Sequence, residues 1–105
     1  MSYRNHQSGL EHRRVLKLAR EYRNEGYEVT VYPEATDLPE GLSKCPLDII
    51  AKGANQVIAV EVRTRESLSL NGFEDLRRMA EKIKELPGWI FELVVTNPRQ
   101  PKDDH

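Results

Sequence analysis

Cysteine occurs once, at Cys45, in a chain of 105 residues. A lone thiol excludes an internal disulfide, so a cytoplasmic setting is the default expectation. Cys45 is followed by Pro46 and has no histidine near it in sequence, so it reads as a loop thiol rather than a nucleophile. Long apolar runs are also lacking: nowhere do the roughly 20 successive apolar residues needed to cross a bilayer occur. Met1-Ser2-Tyr3-Arg4-Asn5-His6 has no apolar stretch behind it, so no secretory leader is expected. Neither sign of charge is in excess. Lys and Arg number 16 and Asp and Glu 17, for a net charge of -1. That balance argues against a surface coated with phosphate-binding cations, but it leaves room for a local basic groove. There is no Gly-rich phosphate loop and no dinucleotide fingerprint. His6, His12 and His105 lack metal-ligand spacing, and His12 is expected to be exposed. Ser67 and Ser69 lack the partners of a nucleophilic serine. Aromatic residues make up only 7%. Tyr27, Tyr32, Phe73, Trp89 and Phe91 fall within elements and read as core or sheet-face residues rather than base-stacking platforms.

What is present suffices for one compact domain over residues 1–105, with 38% hydrophobic and 31% charged residues. The spacing predicts a helix over 8–25. Ser8-Gly9-Leu10-Glu11 has the form of a capping box, Val15, Leu18, Ala19 and Tyr22 make an apolar stripe, and Gly26 is a natural stop. Glu11 lies one turn before Val15, on the inward stripe. Residues 27–32 alternate as a strand, and 33–46, with three prolines and Gly41, read as a loop. Residues 66–70 form a connector. Asn71 caps a second helix that carries Phe73, Leu76, Ala80 and Ile83 at helical spacing and ends at Leu86-Pro87-Gly88. Residues 89–96 form a last strand, apolar enough to be central or covered on both faces. Mobile ends are expected at 1–7 and 97–105.

Two acids stand in strongly apolar strands between these elements. One is Asp48 in Pro46-Leu47-Asp48-Ile49-Ile50-Ala51; the other is Glu61 in Val57-Ile58-Ala59-Val60-Glu61-Val62-Arg63. A hairpin folded about Ala54-Asn55 pairs Gly53 with Gln56 and brings Asp48 opposite Glu61. Directly opposed like charges destabilise a hairpin, and carboxylates in apolar surroundings need a partner. A hard divalent cation rewards both. Arg63 shares a strand face with Glu61, because side chains alternate along a strand. The element order is α-β-β-β-α-β: three antiparallel strands, then a helical crossover that returns the last strand to the sheet. This predicts an α/β fold with a mixed sheet flanked by helices.

That order, carrying Asp48 and Glu61-Val62-Arg63, resembles the PD-(D/E)XK nuclease superfamily, with its restriction-endonuclease-like core. The closest similarity is to the archaeal Holliday-junction resolvase-like branch, which carries a Gly followed by Glu and Arg in the first helix. Here that stretch is Gly9-Leu10-Glu11-His12-Arg13, and the resemblance spans 9–96. It implies a metal-dependent DNA endonuclease, with Asp48, Glu61 and the carbonyl of Val62 holding Mg²⁺ or Mn²⁺ and Glu11 supporting the site. Glu11 has two open roles, helix cap or site acid. Lys44, Arg65, Thr64 and Arg13 are expected to touch the nucleic-acid backbone. The resemblance further implies a homodimer; that no membrane partner is expected follows from the lack of long apolar runs. One departure matters: Arg63 stands where the family has its catalytic lysine. Arginine keeps its proton, so Arg63 can bind phosphate but not act as a base. Lys52 lies far along the hairpin, and Lys82 and Lys84 read as solvent-facing. The alternative is therefore a catalytically inactive, nuclease-derived module that binds DNA or a protein, in which Arg63 pairs internally with Glu61 or Asp48.

Overall fold

The computed structural model of the chain describes residues 9–42, 47–65 and 74–96. The first helix, α1, runs Gly9–Asn24 and buries Val15, Leu18 and Ala19. It stops where expected: Gly26 adopts φ 99, and the Gly26 and Tyr27 amides donate back to the carbonyls of Arg23 and Tyr22. Only glycine enters that left-handed turn freely. Strand β1 (Glu28–Val31) follows. The stretch expected to be loop contains two 3₁₀ turns, Ala35–Asp37 and Glu40–Leu42, and the second buries Leu42. Then come β2 (Ile49–Lys52), β3 (Val57–Arg63), a second helix α2 (Glu74–Lys84) and β4 (Trp89–Val95).

The sheet order is β1-β2-β3-β4. The first three strands are antiparallel and β4 joins β3 in parallel, so the mixed sheet and the helical crossover are as the element order predicts. The β2–β3 register is the expected one, with Ile49 facing Val60 and Lys52 facing Val57, and Gly53 N–H closes the turn on Gln56 O at 2.7 Å.

Alternation along β2 and β3 divides the core between the two sheet faces. Val15, Leu18 and Ala19 of α1 pack on Ile49, Ala51, Ile58, Val60 and Val62. Leu76, Met79 and Ile83 of α2 pack with Leu42, Leu47, Ile50 and Ala59 on the other face.

Two expectations need correction. Among the described residues β4 stands at the sheet edge, neither central nor covered on both faces: Trp89, Phe91 and Leu93 are half-buried, and Ile90 and Val95 are exposed. Asp48 does not continue the ladder as Glu61's flush partner. β2 begins one residue later, and Asp48 sits in a bend whose N–H donates to Val60 O at 2.9 Å. The expected Ser8 and Asn71 caps, the 66–70 connector and both chain ends lie outside the described residues.

Candidate active site

Among the described residues, the buried polar and charged side chains are Glu11, Asp48 and Glu61, each at most 3% exposed. They come from α1, from the bend before β2 and from β3, and lodge on one short stretch, Glu61 to Thr64. Asp48 Oδ2 accepts the Val62 N–H at 2.7 Å. Glu11 Oε2 accepts the Thr64 N–H at 2.8 Å. Glu61 Oε2 accepts Arg63 Nε–H at 2.7 Å and pairs with the Nη2 of the same guanidinium.

Each placement follows from local structure. Glu11 is carried inward because it lies on the stripe of Val15 and Leu18. Its carboxylate is bound to β3's end, so burial and tertiary contact, not capping alone, account for it. The bend at Asp48 stops the backbone ladder one residue short, and the side chain takes up the Val62 amide instead. A strand residue points its N–H and C=O toward the same neighbour. Thr96 N–H bonds Arg63 O at 2.8 Å, so Arg63's peptide groups face β4 and those of Val62 face the Asp48 side.

The donor chemistry fits a hard divalent cation. It comprises two buried carboxylates and a strand carbonyl. Arg63 already occupies Oε2 of Glu61, and among the described residues no group of three His, Cys, Asp or Glu side chains is gathered at metal-binding distance. Asp48 and Glu61 would hold the ion as a two-carboxylate site.

The other expected residues separate clearly. Thr64 is half-buried and joined to Glu11, whereas Arg13 and Arg65 are exposed. Lys44 lies outside the described residues. Lys52, Lys82 and Lys84 are all exposed. An open cleft of about 500 Å³, lined by Glu25 to Tyr27 and Gly53 to Gln56, lies at the far end of β3 from the acids.

Sequence reasoning missed one pair beside the site. His12 was expected to be exposed, but it is half-buried: Nδ1 lies 2.7 Å from Tyr32 Oη and the rings stack at 8° with centroids 5.7 Å apart. Tyr32 has φ 53, and its N–H donates to Asp48 O at 2.7 Å. The following Pro33 favours extended backbone at residue 32, so no local signal of this turn stands in the sequence.

A mixed four-stranded sheet flanked by helices, with buried acids on adjoining strands, is a restriction-endonuclease-like α/β architecture. The model of the AHJR-like family, described as REase_AHJR-like, matches residues 3–102, and the chain belongs to this restriction-endonuclease-like family. No curated protein and no solved structure matches the chain. Among the described residues, no helix is long and apolar enough to cross a membrane.

Proposed function

We propose that the chain is a metal-dependent endonuclease domain that hydrolyses phosphodiester bonds in DNA, related to the Holliday-junction resolvase-like branch. The observation that carries this reading is the convergence of Glu11, Asp48 and Glu61, the buried acids, on the end of β3. Burying three carboxylates at one end of β3 is unfavourable without compensating positive charge, of which Arg63 supplies part. Asp48, Glu61 and the Val62 carbonyl would hold Mg²⁺ or Mn²⁺. The bound cation supplies an activated water and offsets charge on the phosphate.

The chain's own residues do the rest. Arg63, fixed in place by Glu61, presents a permanent cation to the scissile phosphate. Glu11 ties Thr64, and so the end of β3, to α1. Exposed Arg13 and Arg65 are suited to backbone phosphates, together with Thr64 and Lys44. A homodimer would enlarge the surface offered to DNA.

A second reading has a specific observation behind it. The Arg63–Glu61 ion pair is what an inactive, nuclease-derived DNA- or protein-binding module would use to neutralise its vestigial acids. Mn²⁺ calorimetry and a plasmid-nicking assay on the wild type and Asp48→Ala separate the two. The first reading expects binding and nicking in the wild type and neither in the variant. A folded wild type that binds no Mn²⁺ and nicks nothing supports the second.

A further inference from the structure

We infer that Tyr32 is a positioning residue for Asp48, acting through its left-handed backbone and clamped there by His12. The inference rests on the reading of Asp48 as a site acid. Tyrosine seldom adopts φ 53, and the proline that follows pushes residue 32 toward extended backbone. A conformation disfavoured twice persists only where its surroundings hold it, and such residues cluster at functional sites.

The surroundings are visible on both sides of Tyr32. The ring is held by His12, through a stack and a 2.7 Å contact between Nδ1 and Oη. His12 is the helical neighbour of Glu11, so the clamp is anchored on the same turn as another buried acid. The left-handed turn aims the Tyr32 N–H at the Asp48 carbonyl, 2.7 Å away. Asp48 is therefore gripped at three points. Its carbonyl binds Tyr32, its N–H binds Val60, and its carboxylate binds the Val62 N–H. With β2 starting only at Ile49, these bonds take over from the sheet ladder in fixing where the carboxylate points.

The test compares Tyr32→Gly with Tyr32→Val. Both remove the ring, the hydroxyl and the His12 clamp. Glycine accepts positive φ without penalty, whereas β-branched valine resists it. A packing role for the ring would affect the two alike. The first readout is hydrogen exchange of the Val62 amide in metal-free protein, since that amide is bound by Asp48 Oδ2. Exchange is expected to stay near the wild-type rate in Tyr32→Gly and to rise about tenfold in Tyr32→Val. The second readout is Mn²⁺ affinity, expected to fall ~10-fold in Tyr32→Val relative to Tyr32→Gly. Equal exchange in the two variants overturns the inference. If the exchange pattern holds but wild type binds no Mn²⁺, the metal-site reading fails and the positioning role stands. Should Tyr32→Val not fold, Tyr32→Ala takes its place in the same comparison with glycine.

Discussion

Under the proposed nuclease reading, Arg63 is the residue on which the chemistry would turn. Its guanidinium grips Glu61 through Nε and Nη2, a fork that lysine cannot reproduce. Lysine at this position can lose its proton and leave Glu61 less encumbered. Arg63→Lys is therefore expected to raise the Mn²⁺-dependent nicking rate by about 100-fold, the low end of what one positioned acid–base group contributes. An unchanged or lower rate would show that the arginine is the functional group in its own right. Arg63→Ala leaves the buried Glu61 carboxylate without its ion pair and is expected to destabilise the fold by about 1–3 kcal/mol in a urea titration. A different residue governs alkaline behaviour. Burial, then the Glu92 carboxylate that accepts its proton at 2.6 Å, push the Tyr22 hydroxyl well above its ordinary value. A raised folded-state pKa favours the protonated form. The stabilisation is thus complete below the unfolded tyrosine value near 10 and is lost as pH climbs beyond it toward the folded-state value. Tyr22→Phe is expected to flatten the fall in thermal stability above pH 10 relative to the wild type. Asp48 and Glu61 were legible in the sequence because an acid inside an apolar strand is conspicuous. His12 and Tyr32 were not, because the sign of a backbone angle and a stack between distant residues leave almost no local trace.

At the scale of elements, the β2–β3 hairpin was readable down to its register, since apolar alternation and a short polar turn leave one pairing that buries both strands. What alternation could not reveal was the bend at Asp48 that makes β2 begin only at Ile49. A polar residue at a strand's first position looks the same whether the ladder continues or stops. The last strand misled for a related reason. Trp89, Phe91 and Leu93 pack into the α2-side core and Val94 into the other, while Ile90 and Val95 are exposed, and an apolar run does not say whether a further strand lies beyond. The hairpin tip also sets a packing limit. A Cβ on Gly53 would stand 2.7 Å from Tyr27 Cε1. That ring is not free to swing, because Gln56 Nε2 donates to its hydroxyl at 2.7 Å and Tyr22 packs against it edge-on. Gly53→Ala is expected to destabilise the protein by about 1–3 kcal/mol. In a domain of this size that is a melting temperature lower by at least ~4 °C. No change would mean that the tip shifts as a unit.

For the whole molecule, the two half-cores meet at a sheet whose central strands end in carboxylates, so fold stability and site charge are bound together. The α/β class and element order were legible because each helix and strand announces its own period; the docking of Glu11 on the Thr64 amide at the end of β3 needed the fold itself, since the two residues are far apart along the chain. If these acids exist to hold a cation, the metal-free protein carries electrostatic strain that either metal or neutralisation relieves. Mn²⁺ at 100 times its dissociation constant adds about 2.7 kcal/mol to the folded state. That corresponds to a rise in melting temperature of roughly 10–20 °C for a domain of this length. Asp48→Asn removes one charge yet keeps an amide oxygen for the Val62 N–H. Its metal-free melting temperature is expected to equal or exceed that of the wild type, and the rise on adding Mn²⁺ to vanish. The opposite pattern, a wild type indifferent to Mn²⁺ and an Asp48→Asn variant several degrees less stable, would make the acids structural supports of β3 completed by Arg63.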